Sequence, residues 1–67
     1  MNDDIFSGKW KQFKGSARAQ WGKLTDDDVS EVDGKFEHLV GKLQERYGHA
    51  KEDATNAVNE WIEKLKS

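Results

Sequence analysis

Three cations recur at helical spacing near the beginning of the chain. Lys11, Lys14 and Arg18 are separated by three and four residues, so they lie together along one flank of a helix. Trp10 and Trp21 fall beside them on the same helical wheel. Because cations bind phosphate oxygens and exposed aromatic rings stack on bases, this combination is typical of a nucleic-acid-binding surface.

The same residues also fit a solvated helix flank above an aromatic core, in which lysine and arginine stems cover the apolar edges. The chain has 11 Lys and Arg against 13 Asp and Glu, a formal net charge of -2, whereas nucleic-acid-binding domains are typically basic. Residues 24–34 hold five carboxylates and no cation, close enough in sequence to neutralise the cations. We therefore favour the solvated flank, and we keep weak nucleic-acid contact through Lys11, Lys14 and Arg18 as the alternative.

Other polar residues give weaker signals for chemistry. Asp26, Asp27 and Asp28 form a carboxylate run that suits a helix start, but they lack the alternating spacing and distal glutamate of a calcium loop. His38 lies on the polar side of a predicted helix and His49 follows a helix-ending glycine, so neither has a partner at a catalytic spacing. The chain has no Cys and no phosphate-binding glycine loop. We predict no catalytic residue, no metal site, no cofactor and no enzymatic activity.

The helices that carry these residues come from an internal duplication with an offset of 26 residues. The first copy reads Gly8-Lys9-Trp10-x-x-Phe13-x-Gly15 followed by Trp21-Gly22, and the second reads Gly34-Lys35-Phe36-x-x-Leu39-x-Gly41 followed by Tyr47-Gly48. Large apolar residues and glycines recur in register, which indicates one helical unit present twice.

Apolar residues recur at steps of three and four along three segments, as on the buried faces of amphipathic helices. No strand-like alternation and no proline interrupts them. We therefore predict an all-α fold. The three stripes comprise Phe6, Trp10, Phe13, Ala17, Trp21 and Leu24, then Phe36, Leu39, Val40, Leu43 and Tyr47, then Ala50, Ala54, Ala57, Val58, Trp61 and Leu65.

Capping residues predict four helices in this fold. Gly22 and Gly48 each follow the last aromatic residue of a stripe, where a left-handed glycine commonly ends a helix, and Thr25 can cap a helix start. The first helix should end near Trp21, the second should run from Thr25 to about Asp33 with Val29 and Val32 facing inward, the third should end near Tyr47, and the fourth should run from Lys51 almost to Ser67.

Gly15 and Gly41 lie inside two of the predicted helices, where glycine lowers helix stability relative to alanine. A close approach of another helix would explain them. We expect such packing rather than ligand contact at both positions.

The length of 67 residues allows a single domain, spanning residues 1–67, that buries only about 60% of its unfolded surface. The three Trp, three Phe and one Tyr must supply most of its core, and the absence of Cys fits a reducing compartment. No apolar run approaches the length of a membrane span or a signal-peptide core. We expect a cytoplasmic protein that is monomeric or weakly homodimeric.

Three ordered stretches carry a family resemblance: Trp10-Lys11-Gln12-Phe13-Lys14-Gly15, Gln20-Trp21-Gly22-Lys23-Leu24-Thr25-Asp26-Asp27-Asp28, and Leu39-Val40-Gly41-Lys42-Leu43-Gln44-Glu45-Arg46-Tyr47-Gly48. Over nearly the whole chain they resemble the CsbD-like family of small bacterial stress proteins. The resemblance implies a cytoplasmic protein of the general stress response. It also implies two α-hairpins packed roughly at right angles, as in sterile-alpha-motif and helix-hairpin-helix domains, and it supplies no catalytic or ligand residue. The chain departs from the family in Ser16-Ala17-Arg18-Ala19 and Trp61-Ile62-Glu63-Lys64.

Two functional interpretations follow from the residues and the resemblance. The leading one is a small non-enzymatic bacterial stress-response protein that acts through surface interactions with an unknown partner. The alternative is a nucleic-acid-binding helical module that uses the cations of the first helix. A weaker third, contact with a membrane surface or a partner helix, is disfavoured because the domain's own core should bury the apolar face of that helix, so we expect no membrane partner.

Overall fold

Five helices joined by short turns make up the part of the chain that the computed structural model describes, residues 3–66, with side chains described for 6–65. No strand occurs within residues 3–66, which confirms the all-α prediction. None of the helices in this range is long and apolar enough to cross a membrane. The helices are α1 (Asp3–Gly8), α2 (Trp10–Gln20), α3 (Asp26–Val32), α4 (Phe36–Tyr47) and α5 (Lys51–Lys66).

The predicted first helix is in fact two helices that meet at Lys9. This residue has a φ of −106° and a ψ of 6°, so the helical path is interrupted there. Its carbonyl accepts the backbone N–H groups of Gln12 and Phe13 at 2.9 and 3.0 Å, which starts a new helix at Trp10. The prediction of four helices is therefore wrong in number, and the arrangement as two orthogonal hairpins stays a prediction.

The second copy of the repeat starts its helix in the same way. The carbonyl of Lys35, which corresponds to Lys9, accepts the N–H groups of His38 and Leu39 at 3.1 and 3.2 Å. Helix α4 then begins at Phe36, the counterpart of Trp10. The duplicated phrase thus repeats the hydrogen bonds of the helix start, although Lys35 is extended, with a ψ of 117°, and Lys9 is not.

The core is formed by the predicted stripes, which differ from it at two margins and contain five residues that are only partly buried against it: Phe13, Phe36, Tyr47, Ala57 and Leu65. Ile62 is buried although it lies outside the predicted stripe of α5, whereas Ala50 is exposed because it precedes the first turn of that helix. Both valines of α3 are buried as predicted. The buried apolar residues are Phe6, Trp10, Ala17, Trp21, Leu24, Val29, Val32, Leu39, Val40, Leu43, Ala54, Val58, Trp61 and Ile62.

Only one of the two predicted glycine terminators has the left-handed conformation. Gly48 ends α4 with a φ of 72°, as expected, and its N–H donates to the Gln44 carbonyl at 3.0 Å. Gly22 does not have a positive φ, because the chain leaves α2 one residue earlier, through an extended Trp21 with a φ of −122°. The prediction for Gly22 is therefore wrong.

A left-handed pair, Asp33 and Gly34, instead connects the two copies of the repeat, with φ values of 47° and 76°. A Cβ on Gly34 would lie 3.1 Å from the Cα of Ser7, so α1 approaches this connection closely. The Ser7 hydroxyl donates to the Gly34 carbonyl at 2.7 Å. Glycine is required here both by its backbone angle and by its neighbour.

The expectation that another helix packs against Gly15 and Gly41 is wrong. Both glycines are exposed, and a Cβ placed on either would meet nothing within 4 Å. They lie on the solvent faces of α2 and α4, at equivalent positions of the two copies.

Candidate functional site

An extended polar cluster joins α3 to α4 around one buried carboxylate. Asp28 lies in the first turn of α3, and its side chain is only 2% exposed. Arg46, in the last turn of α4, donates to it with both Nε and Nη2, each at 2.9 Å from a different carboxylate oxygen. This bidentate pair is directional as well as electrostatic, and it ties the two helices together.

Asp28 also completes the cap of its own helix. The Thr25 hydroxyl accepts the N–H of Asp28 at 3.1 Å, and the Asp28 carboxylate accepts the N–H of Thr25 at 3.1 Å. This reciprocal arrangement is a capping box, and it satisfies two backbone donors that the helix start would otherwise leave unpaired. The prediction that Thr25 caps this helix is confirmed.

Lys42 extends the cluster on the solvent side. Its ammonium pairs with Glu31 of α3, and it lies 3.6 Å from Asp28 and 3.8 Å from Glu45. Glu31 and Glu45 are both more than half exposed, whereas the Lys42 side chain is mostly covered. Within the cluster, the exposure of the carboxylates therefore increases from the buried Asp28 to the solvated Glu31 and Glu45.

These contacts shift the acid–base behaviour of the cluster toward the charged forms. The hydrogen bond from Arg46, aided by the Thr25 N–H, holds the pKa of Asp28 well below its usual range although burial opposes this. The hydrogen bond to Asp28 raises the pKa of Arg46, and the Glu31 carboxylate raises the pKa of Lys42. A carboxylate so strongly held as an anion is a poor proton acceptor near neutral pH, so the cluster suits a structural role.

Sequence reasoning did not find that Asp28 is buried, although a signal was present. The 26-residue offset relates Asp28 to Ala54, which lies on the predicted apolar stripe of the last helix. Ala54 is fully buried, and so Asp28 faces inward at the equivalent position. An anion at an inward-facing position requires a partner, and the later cation Arg46 supplies it.

The predicted cations Lys11, Lys14 and Arg18, which we call the basic strip, do line one shallow depression between α2 and α3. All three side chains are exposed. Arg18 pairs with Asp26. The acidic segment therefore neutralises one cation of the basic strip, as expected. Lys11 and Lys14 lie on the side of the depression that α2 provides.

The tryptophans beside the basic strip belong to the core. Trp10 is 7% exposed and its ring centroid lies 5.3 Å from that of Phe6. Trp21 is 6% exposed and makes an edge-to-face contact with Trp61 at 5.1 Å between centroids. Neither ring is available to stack on a base, so the strip offers charge without an aromatic platform.

The two histidines lie apart from the basic strip. His38 is exposed on α4, with its Nδ1 3.2 Å from the Glu31 carbonyl oxygen. His49 stacks on Tyr47 at 5.6 Å between ring centroids, and the Lys23 ammonium lies 5.1 Å from the centroid of the same tyrosine ring. Within the described residues, no group of three or more His, Asp and Glu side chains is placed to hold a metal ion.

Comparison with known proteins places the chain among small bacterial proteins. A family model described as CsbD-like matches residues 4–56 and so ends within α5. The UPF0337 protein ECA0631 of Pectobacterium atrosepticum is 59% identical over 61 residues, covering 91% of this chain and 88% of the relative. The UPF0337 protein YjbJ of Escherichia coli K12 is 56% identical with the same coverage. The UPF0337 protein PA4738 of Pseudomonas aeruginosa is 52% identical over 65 residues, 97% of this chain and all of the relative. As its three ordered sequence stretches predicted, the chain belongs to the CsbD-like family.

Proposed function

We propose that this chain is a small non-enzymatic stress-response protein of the bacterial cytoplasm that acts through surface interactions. Membership of the CsbD-like family carries the proposal. The structure supports it in one respect, because the best organised polar residues serve the fold. Asp28 is committed to a capping box and a bidentate ion pair, and so it acts as an internal brace.

Deletion of the gene tests this role directly. We expect the deleted strain to survive stationary phase and osmotic challenge less well than its parent, and the wild-type gene to restore survival. Equal survival of the two strains under both stresses would contradict the stress role. Turnover of a substrate by the purified protein, abolished by changing one exposed polar residue, would contradict the non-enzymatic role.

Nucleic-acid binding is the second candidate function, and one observation favours it. Lys11, Lys14 and Arg18 converge on a single depression rather than scattering around α2. Such a strip would bind phosphate oxygens, with an affinity that falls steeply as salt rises.

Fluorescence anisotropy of labelled duplex and single-stranded DNA tests the second candidate at low and at physiological salt. This candidate function predicts binding with a clear salt slope that Lys14→Glu weakens. Lys64→Glu is the matched control, because it makes the same change in net charge on α5, outside the depression. Equal weakening by both variants, or no binding at low salt, would remove this candidate.

A further inference from the structure

Two shallow depressions border α3, and each has one of the two related glycines in its lining. The first lies on α2 and α3 and includes Gly15, and the second lies on α3 and α4 and includes Gly41. The 26-residue offset that relates these glycines also relates Lys11 in the first depression to Glu37 in the second. The duplication has therefore placed related residues of opposite charge in the two depressions.

The two depressions carry opposite charge. The first, which we call the basic face, has three cations and one carboxylate in its lining, Lys11, Lys14, Arg18 and Asp26, and so a formal charge of +2. The second, which we call the acidic face, has three carboxylates and one lysine, Glu31, Glu37, Glu45 and Lys42, and so a formal charge of -2 with His38 neutral. Each face is the electrostatic complement of the other.

The glycines in the linings of these faces make no close contact inside the molecule that explains them. A Cβ on Gly15 or Gly41 would touch nothing in the same chain, yet glycine lowers the stability of a helix interior relative to alanine. A helix surface without a Cβ lets the backbone of another helix come close. Because no other described helix of the same chain lies within 4 Å of these positions, a helix of another molecule has room to approach them.

We propose that the basic face of one copy docks on the acidic face of a second copy, with α2 of the first lying against α4 of the second. The opposite charges bring the faces together, and Gly15 and Gly41 let the two helices approach. Because the two surfaces differ, the contact is head-to-tail, and each docked pair keeps one basic and one acidic face free for further addition. The inference goes beyond the proposed function, since self-docking and binding of a different partner are separate events.

Sedimentation equilibrium of the purified chain at up to about 1 mM tests the self-docking, because a small exposed contact gives a Kd of about 0.1–1 mM. At about 10 mM salt, where the Debye length is about 30 Å, we expect the weight-average mass to rise above 7.7 kDa with concentration. At about 1 M salt, where the Debye length is about 3 Å, it should return to the monomer mass. A monomer mass at every concentration in low salt would overturn the proposal, as would association that persists at high salt.

Charge reversal distinguishes this contact from other modes of association. Lys14→Glu removes a cation from the basic face and Glu37→Lys removes a carboxylate from the acidic face, and each should weaken self-association about tenfold. Lys64→Glu, which lies in neither face, should associate like the wild type. Equal weakening by Lys14→Glu and Lys64→Glu, with no weakening by Glu37→Lys, would mean that net charge alone matters, and it would overturn the proposal.

Mixing the two weakened variants tests the head-to-tail geometry. The Lys14→Glu variant keeps a native acidic face and the Glu37→Lys variant keeps a native basic face, so an equimolar mixture should recover association to within about threefold of wild type. No recovery would overturn the pairing of unlike faces. A chain that stays monomeric alone but binds DNA through Lys14 would also overturn it and assign the basic face to nucleic acid.

The glycines provide a test that does not depend on charge. Gly15→Gln and Gly41→Gln place a better helix former at an open position, so the monomer should remain folded and its Tm should rise. The added side chain should nevertheless weaken self-association about tenfold, because it occupies the space that the second helix needs. Unchanged association in both variants would overturn the helix-to-helix approach.

Discussion

The two copies of the repeat meet at two related pairs of helices. One pair is joined by ions and the other by aromatic rings. Between α3 and α4, the buried Asp28 and the partly exposed Arg46 make a bidentate pair. Between α2 and α5, Trp61 makes edge-to-face contacts with Phe13 and with Trp21 at the end of α2, at 5.8 and 5.1 Å between ring centroids. The offset that maps α3 onto α5 also maps α4 onto α2, so the two contacts join corresponding pairs of helices.

Equivalent positions show how the two interfaces diverged. Asp28 corresponds to Ala54 and Arg46 corresponds to Gln20, so the second interface has no ion pair at these positions. Ala54 and Asp28 are both buried, which means that the backbone presents the same position inward and only its chemistry differs. The ion pair is directional and fixes one relative position of two helices, whereas the rings bury more apolar surface. One scaffold therefore accepts two different ways of holding neighbouring helices.

Removal of the central ring of the aromatic interface is the largest expected perturbation. Trp61→Ala should destabilise the fold by about 3–5 kcal/mol, because it deletes a buried side chain that touches two other rings. That cost approaches the whole stability of a domain of this size. Urea unfolding followed by far-ultraviolet circular dichroism measures it, and Trp61→Phe, which keeps a ring, should remain folded. A smaller loss for Trp61→Ala than for Asp28→Ala would reverse the ranking of the interfaces.

Removal of the buried carboxylate should cost less. Asp28→Ala is expected to destabilise the fold by about 2–3 kcal/mol through loss of the capping box and the hydrogen bonds from Arg46, whose partly exposed guanidinium can return to water. Asp28→Asn should destabilise the fold less than Asp28→Ala, because it keeps an oxygen for the Thr25 N–H. A double-mutant cycle with Arg46→Gln measures the coupling between the partners. Additive losses of stability in that cycle would show that Asp28 and Arg46 do not stabilise the fold by interacting with each other.

Acid should weaken the ionic interface selectively. The unfolded chain protonates Asp28 near its ordinary pKa of about 4, whereas the pKa in the folded chain is lowered by Arg46, Thr25 and Lys42. The stabilisation is therefore fully present above about pH 5 and is lost as the pH falls from there through the lowered folded value. Urea unfolding at a series of pH values between about 7 and 2 should show a smaller decline for Asp28→Asn than for the wild type. Equal declines would mean that other carboxylates determine the acid response.

Alanine substitution of the exposed glycines should have the smallest effect and should act equally on both copies. Gly15→Ala and Gly41→Ala should each stabilise the monomer by up to about 1 kcal/mol, because a Cβ at either position meets nothing within 4 Å. Gly34→Ala is the opposing control, since its positive φ and the Ser7 Cα at 3.1 Å make it destabilising. Thermal unfolding in high salt measures all three. A loss of stability in Gly15→Ala or Gly41→Ala would restore the idea that these glycines serve internal packing.

The predictable part of this fold was the part set by local pattern. The apolar stripes, the Thr25 cap and the end of α4 at Gly48 follow from periodicity and from backbone conformations that few residues adopt. The break at Lys9 was missed because the apolar stripe continues across it from Phe6 to Trp10, and a single non-helical residue leaves that spacing unaltered. The features that were not predicted depend on tertiary geometry, which the local sequence pattern does not specify.

The candidate site was predictable only where neighbours in sequence are neighbours in space. The convergence of Lys11, Lys14 and Arg18 follows from helical spacing alone. The pairing of Asp28 with Arg46 joins two helices. It was not predicted, because the apolar stripes of a helix leave carboxylates on the solvent side by default. Comparison of the two copies, position by position, would have shown that Asp28 occupies an inward-facing place.

The contact of Trp21 with Trp61 joins residues separated by most of the chain, whereas α3, α4 and α5 are connected through short turns. Bringing distant segments together costs loop-closure entropy that neighbouring helices avoid, so α3, α4 and α5 should assemble first and α2 should dock on α5 last. In native-state hydrogen exchange, the amides of α2 should therefore exchange through openings of lower free energy than the amides of α4. The indole pair is a natural fluorescent reporter of that final closing step.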